Sequence, residues 1–390
     1  MLAEGLLSAL LLRITWRAWR ALDRWVQVPR QDAPTAPDDA PAVSVLVPAR
    51  NEARAIERCV RSLLAQHYPP ERLRVVVVDD ESTDGTQAIL AGLASQDERL
   101  RVVAGTPPPA GWLGKCWALH QAVQHADPSA SYLLFTDADT VHDPRALVSA
   151  VAYLRQHRLD LLSLGTGQEL VGRGERLLLP FILGLAMLAN GTFDEVNDPT
   201  RPERAKANGQ FILVSAPAYA IIGGHAAVRR AVVEDFELAR RAKRLGLRLL
   251  LADGRRLVRT RGYHSMREIW QGFSKNGLAE ARRQPGGVLA VLVGLPTCAL
   301  GPYLLLALAV RRLIRQPTPT SGLSVAQAAV QVGQLIALTG RCATAIGLPA
   351  GYGLAQPVAT VFVWLLLVAS AVRQTLGLPP TWKGRPILDV

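Results

Sequence analysis

This chain of 390 residues predicts a doubly wound, mostly parallel α/β unit followed by a C-terminal α-helical membrane region. Three observations predict it. Apolar strands alternate with amphipathic helical segments over residues 42–284, polar residues gather where those strands end, and uncharged stretches fill most of 285–375. Parallel sheets of this kind take ligands at the carboxyl edge of their strands, so the polar clusters mark where chemistry is expected.

The elements follow in order. Val43-Ser-Val-Leu-Val-Pro48 reads as a buried strand, Ala49-Arg-Asn-Glu52 as a turn, and 53–66 as a helix with Ile56, Val60, Leu63 and Leu64 on one stripe. Arg74 to Val78 is a β-branched strand ending in Asp79-Asp80, after which Asp84 or Thr83 caps a helix starting near Thr86. Gly111-Trp-Leu-Gly-Lys115 leads into a helix running to Gln124, whose amino terminus and Lys115 offer donors and charge to a phosphate; the Walker pattern is absent. Tyr132-Leu-Leu-Phe-Thr136 is a strand delivering Asp137 and Asp139, and strand alternation predicts that both face one way and can share a divalent cation. Asn208-Gly209-Gln210 opens a strand over 211–215, and Gly223-Gly224-His225 follows a short helix; these glycines would let backbone approach a ligand, with His225 as a candidate phosphate contact. Glu234-Asp235 start a helix to Leu245 with Leu238, Ala239, Ala242 and Leu245 inward, and a helix amino terminus favours an ionised carboxylate there.

Val43-Ser-Val-Leu-Val-Pro-Ala-Arg-Asn-Glu52, Val78-Asp-Asp-Glu-Ser-Thr-Asp-Gly-Thr86, Gly114-Lys115 and Thr136-Asp-Ala-Asp139, in this order, resemble the family 2 glycosyltransferases of the GT-A fold, over about residues 41–281. Gly111 to Trp117, Ala207-Asn-Gly-Gln-Phe211, Gly223-Gly-His225, Glu234-Asp235 and Trp382-Lys-Gly-Arg385 are similar to a membrane-bound branch that glycosylates carotenoid acids or is associated with hopanoid synthesis. The resemblance implies Asp235 as catalytic base and Mg2+ or Mn2+ on Asp139, with Asp137 beside it on the metal or the ribose. It implies a nucleotide-sugar site of Pro48, Arg50, Glu52, Asp80, Lys115, Asp137, Asn208, Gly209, Gln210, His225, Gln271 and Lys275, with Asp80 on the base. The implied reaction moves one sugar, with inversion, from a nucleotide-diphosphate sugar, expected to be a UDP-sugar, to a lipophilic acceptor such as a carotenoid, hopanoid or polyprenyl phosphate. Gln271-Gly-Phe-Ser-Lys275 stands where processive relatives carry Gln-x-x-Arg-Trp; the missing Arg-Trp pair counts against a processive polysaccharide synthase. The intact Asp80, Asp139 and Asp235 count against a non-enzymatic membrane scaffold.

The formal net charge of +12, largely from arginine, suits membrane lipids with anionic head groups and diphosphate substrates. Nucleic acid is not an expected partner, because the basic residues are dispersed without interleaved aromatics. Cys59, Cys116, Cys298 and Cys342 form neither a Cys-x-x-Cys pair nor a zinc spacing. Residues 286–310, 316–340 and 342–372 carry no charge, and crossing a bilayer takes about 20 apolar residues. Pro296 and Pro302 kink or split the first stretch, and Gln327, Gln331 and Gln334 turn a polar stripe of the second toward another helix. If the first stretch is re-entrant, Arg311, Arg312 and Arg315 stay on the cytoplasmic side with the catalytic domain. Residues 1–30 read as an amphipathic membrane-associated helix, with Trp16, Trp19 and Trp25 among arginines; 31–41 read as a linker and 376–390 as a tail. The apolar run 177–189 is too short to span; it reads either as a core helix or as an interfacial path for a lipid-tailed acceptor.

Overall fold

Valine and leucine line both faces of the strands Val43–Ala49 and Leu73–Asp79. Val43, Val45, Val47, Val75 and Val77 enter one apolar cluster, while Leu46, Val76 and Val78 enter another. Strands buried on both faces belong at the centre of a sheet covered by helices. The computed structural model describes residues 2–23, 25–31, 39–262, 265–276, 286–376, 381–382 and 385–386. Its contacts divide into a sheet unit, Trp25–Glu169 with Phe193–Gly262, and a helical unit, Met1–Arg24, Leu170–Thr192 and Tyr263–Leu388.

In chain order the elements are α1 (Leu2–Asp23), β1 (Val43–Ala49), α2 (Ile56–Leu64), β2 (Leu73–Asp79), α3 (Thr86–Ala94), β3 (Leu100–Ala104), α4 (Gly114–Gln124), β4 (Tyr132–Phe135), β5 (Thr140–His142), α5 (Ala146–Gln156), β6 (Leu161–Gly165), β7 (Gly167–Gln168), α6 (Arg173–Asn190), α7 (Phe193–Asn197), β8 (Ile212–Ser215), α8 (Ala216–Ile222), α9 (Glu234–Arg244), β9 (Leu249–Asp253), β10 (Val258–Thr260), α10 (Met266–Asn276), α11 (Gly287–Ala299), α12 (Gly301–Arg315), α13 (Pro319–Ala345) and α14 (Gln356–Thr375). The large sheet runs β3-β2-β1-β4-β8-β6-β9, and a small one runs β5-β10-β7. In the large sheet pairing is parallel from β3 through β4 and again at β6 with β9, and β8 runs against both its neighbours; in the small sheet β10 runs against β5. β1 has β2 on one side and β4 on the other, which makes its carboxyl end the switch point where such sheets bind ligands. α2 starts later than its periodicity predicts, because the Glu52 carbonyl accepts the N–H groups of Ala55 and Ile56, each at 2.9 Å, and closes a turn first.

The helical unit has its own core, in which Leu178, Leu179, Phe181 and Ile182 of α6 are buried with Ile269, Ala299, Ala359, Val363, Leu366 and Leu367. Gly287–Arg315, Pro319–Ala345 and Ala350–Arg373 are long and apolar enough to cross a membrane. The first is divided at Leu300, whose N–H reaches the Pro296 carbonyl at 2.8 Å. The glutamine stripe of α13 faces α1: Gln327 and Gln331 donate to Ser8 Oγ at 2.9 and 2.6 Å, and the Arg341 guanidinium lies 4.3 Å from the Trp19 ring. All four cysteines are free thiols, and Cys59, Cys116 and Cys342 are buried. Most of the expected linker (32–38), Arg282, Arg283 and Lys383 lie outside the described residues.

Candidate active site

The turns after β1 and β2 are braced against each other. Asn51 N–H donates to Ser82 Oγ at 2.9 Å, Thr83 N–H to Asn51 Oδ1 at 2.8 Å, and Glu52 N–H to Thr86 Oγ1 at 2.9 Å. Asn51 (φ 53) and Glu81 (φ 54) sit in the left-handed region, uncommon for residues other than glycine. Asp80 is 2% exposed, and the Arg50 guanidinium lies 3.9 Å from its carboxylate while donating to its backbone carbonyl. Asp84 accepts from the Thr86 N–H at 3.2 Å and hydroxyl at 2.6 Å, but it also reaches back to the Ala53 N–H at 3.1 Å, so it fastens two turns as well as a helix start. Burial opposes its charge; the hydrogen bonds prevail and hold its carboxyl below the usual range.

A cleft at the end of β4 is lined by Pro48, Lys115, Leu119, Phe135, Thr136, Asp137, Gly209, Ile212, His225, Glu234 and Asp235. Lys115, on the first turn of α4, places Nζ 2.8 Å from Asp137 Oδ1 and 2.7 Å from Glu234 Oε1. Burial works against its charge, but Asp137, Glu234 and Asp235 outweigh it and raise its pKa well above the ordinary lysine value. Sequence reasoning gave Glu234 no role beyond a helix start; its place next to Asp235 in a pocket-lining pair was the available signal. Glycine at 209 leaves room for these side chains, since a Cβ there would stand 3.1 Å from Lys115 Nζ and press on it.

Asp235 Oδ2 accepts the Gly209 N–H and Oδ1 accepts the Phe236 N–H, each at 2.9 Å. The helix amino terminus was expected to favour its charge. Instead burial, then the Glu234 carboxylate, push its pKa upward, and Lys115 with the two hydrogen bonds offsets this only in part. His225 is also buried: its Nδ1 lies 2.7 Å from the Tyr219 hydroxyl, which accepts the His225 backbone N–H at 2.9 Å. Burial, and then Lys115, bring its pKa down to about 3. A neutral imidazole can hydrogen-bond in the cleft but cannot supply the counter-charge for a phosphate. Gly224 (φ 55) serves packing here, since a Cβ on it would lie 2.8 Å from the Tyr219 ring.

Asn208 and Gln210 are not among the cleft-lining residues. Asn208 secures its loop to the chain at β6, donating from Nδ2 to the Leu164 carbonyl at 2.9 Å, and the Gln210 side chain bonds the hydroxyls of Thr166 and Thr260. Gln271 and Lys275 lie on α10 of the helical unit, and the Lys275 side chain is outside the described residues.

Asp137 and Asp139 are not related by strand alternation. β4 ends at Phe135, and residues 137–140 form a turn closed by the Thr140 N–H (3.3 Å) and hydroxyl (2.8 Å) on the Asp137 carbonyl. The Asp139 carbonyl accepts the Arg261 N–H at 3.2 Å, and Gly262 lies beside the Asp139 carboxylate. Among the described residues no group of three or more His, Cys, Asp and Glu converges on a metal position. Two carboxylates nonetheless fit Mg2+ or Mn2+, because such hard ions take one or two protein carboxylates and complete their shell with water and substrate phosphates.

A mostly parallel sheet with this carboxylate turn at its switch point is a GT-A fold, and residues 44–235 match the sequence profile of Glycosyl transferase family 2. The chain therefore contains a family 2 glycosyltransferase domain. Among curated relatives it is 32% identical over 109 residues to YdaM of Bacillus subtilis (strain 168), a glycosyltransferase by name, covering 28% of this chain and 25% of that one. It is 23% identical over 263 residues to the 4,4'-diaponeurosporenoate glycosyltransferase of Staphylococcus haemolyticus (strain JCSC1435), covering 66% of this chain and 67% of the relative. The chain thus spans a quarter of the first relative's length and about two thirds of the second's. The mannosyltransferase PcManGT from Pyrobaculum calidifontis, solved in complex with GDP-Man and Mn2+, shares the fold with a TM-score of 0.53 at 21% identity, covering 96% of this chain and 98% of that one.

Proposed function

We propose that this chain is a membrane-anchored, metal-dependent, inverting glycosyltransferase that moves one sugar from a nucleotide-diphosphate sugar, first a UDP-sugar, to a lipophilic acceptor such as a carotenoid, hopanoid or polyprenyl phosphate. The observation that carries the reading is one cleft in a family 2 domain that holds Asp137, Lys115 and Asp235 together. A fold relative that holds GDP-Man and Mn2+, and a sequence relative named for a carotenoid acid, support it.

In this reading Asp80 accepts the imide hydrogen of the base, with Arg50 at 3.9 Å balancing its charge. Asp139 and Asp137 would hold the divalent cation, which would supply positive charge to the departing diphosphate. Lys115 adds a fixed positive charge at the same place. Asp235 takes the proton of the acceptor hydroxyl as the acceptor oxygen bonds to the anomeric carbon and the nucleoside diphosphate leaves with its electron pair. A desolvated carboxylate with a raised pKa is a better base for this step than a solvated one. Where the acceptor is already an anion, no proton moves and Asp235 only places it.

The catalytic domain, which we set at 42–284, lies on the cytoplasmic side in this reading, and the break at Leu300 supports a first apolar stretch that enters and returns. The test is to incubate the purified protein with UDP-glucose, UDP-GlcNAc and GDP-mannose, Mn2+ and a lipid extract, and to read nucleotide release and lipid product mass. Release from one donor with a matching mass gain is expected; no release from any donor overturns the reading.

A further inference from the structure

Three buried groups have no part in the mechanism: Thr136, on the cleft wall, and Thr140 and His142 are 1%, 0% and 4% exposed. Thr136 Oγ1 is 2.9 Å from Thr140 Oγ1 and 3.1 Å from His142 Nε2, and Thr140 Oγ1 is also 3.1 Å from Nε2. Two backbone carbonyls and the Cys59 thiol complete the cluster, with Sγ 3.6 Å from the Asp137 carbonyl and 3.8 Å from Thr140 Oγ1. Thr136 donates to the carbonyl of Gln210 at 2.8 Å, and Thr140 to that of Asp137 at 2.8 Å.

A proton count fixes the arrangement. Each hydroxyl has a single proton, and a carbonyl can only accept. With both threonine protons on the Gln210 and Asp137 carbonyls, the two hydroxyl oxygens accept from the Nε2–H of a neutral His142, and the Cys59 thiol, 3.8 Å from Thr140 Oγ1, is a second group able to donate there. Burial keeps that ring neutral. Through Asp137 the cluster holds the carboxylate turn; through Gln210 it holds the loop whose Gly209 N–H bonds Asp235 Oδ2 at 2.9 Å.

We infer that His142, Thr136 and Thr140 form a positioning hub that sets the Asp137 turn against the loop carrying the Asp235 contact, so that donor and base are held in register from below. The inference rests on the roles proposed above for Asp137 and Asp235. Of the three only Thr136 reaches the cleft wall; the hub acts through the backbone of both sides.

The test uses the full-length protein with Mn2+ and reads three quantities: the Kd for UDP or GDP, the kcat for hydrolysis of UDP-glucose or GDP-mannose (whichever the wild type turns over), and the thermal midpoint. Thr136→Val cuts the link to the 208–210 loop and should lower kcat roughly tenfold to a hundredfold, as a small misplacement of a base does, and change Kd by much less, because valine keeps the shape of Thr136 on the cleft wall. Thr140→Val frees the Asp137 turn and should weaken nucleotide binding first. His142→Met should do both, and His142→Gln, whose amide can donate near the Nε2 position, should recover most of the loss. The hub is overturned if the two threonine variants change kcat and Kd together in step with the thermal midpoint, if His142→Gln is as impaired as His142→Met, or if all variants match the wild type. A wild type that binds and hydrolyses no nucleotide sugar overturns the functional reading, and the hub with it.

Discussion

The two units treat the same residue types in opposite ways. In the sheet unit valine and leucine disappear into two clusters flanking β1 and β2, whereas in the helical unit Leu289, Leu304, Ile314, Leu323, Leu354 and Val358 are each more than 55% exposed. An exposed apolar surface of that extent on segments long enough to span a bilayer is consistent with membrane association. Polar groups differ in the same sense. The sheet unit concentrates charge, with Lys115, Asp137, Glu234 and Asp235 in one cleft, while the helical unit buries neutral groups such as Gln331, Gln356, Thr360 and Ser370. Gln356 shows why: its Nε2 donates to the Ala299 carbonyl at 3.1 Å and to Thr360 Oγ1 at 2.9 Å, partners that need no counter-ion. Charge gathers in the cleft of the sheet unit, whereas the polar groups buried on α13 and α14 are neutral.

The sharpest way to break this contrast is to strip charge from the cleft. Asp139→Asn, or EDTA on the wild type, should abolish transfer, with Mn2+ restoring the wild type alone, because a bound cation supplies several kcal/mol of charge stabilisation. EDTA-resistant turnover in the variant would remove the metal role. Asp235→Asn should lower transfer by about 10²–10⁴-fold and leave nucleotide affinity, read by calorimetry, unchanged. Loss of both would make Asp235 a donor-site residue instead.

The converse substitution puts charge where lipid is expected. Leu365→Asp, on the exposed side of α14, should cost about 2.5–3.5 kcal/mol of insertion and reduce the membrane-bound fraction, with nucleotide binding by the recovered protein intact. A smaller effect is a pH shift. The Glu234 carboxylate raises the Asp235 pKa, so Glu234→Gln should lower it; the base is then ionised at lower pH, and the acidic limb of the kcat profile moves down. An unmoved limb would separate Asp235 from that limb. Smallest of all, Gln327→Leu should cost about 0.6 kcal/mol through its bond to Ser8, measured as a drop in thermal midpoint.

The α/β class and the order of β1, α2, β2, α3, α4 and β4 were legible because two-residue and 3.6-residue periods are local properties of the chain. The site was less so. That Lys115 meets Asp137 and Glu234, or that Thr136 holds Gln210, depends on residues distant in sequence, and no local pattern encodes such contacts. Strand alternation misjudged Asp137 and Asp139 because the strand stops at Phe135, and a turn has no two-residue period. The helix-terminus argument for Asp235 omitted burial, a tertiary quantity. The run 177–189 was ambiguous for a related reason: its length fits a core helix of either unit, and only packing assigns α6 to the helical one.

That assignment bears on how the protein can be taken apart. The chain changes units at 24–25, 169–170, 192–193 and 262–263, so α6 is an insertion of the helical unit into the middle of the family 2 domain. A fragment ending at Gly262 would keep Leu178, Leu179, Phe181 and Ile182 but lose Ile269, Ala299 and the α14 residues that bury them. No single protease cut or stop codon yields a clean catalytic piece; a water-soluble version requires excising 170–192 as well and closing the gap with a short polar loop.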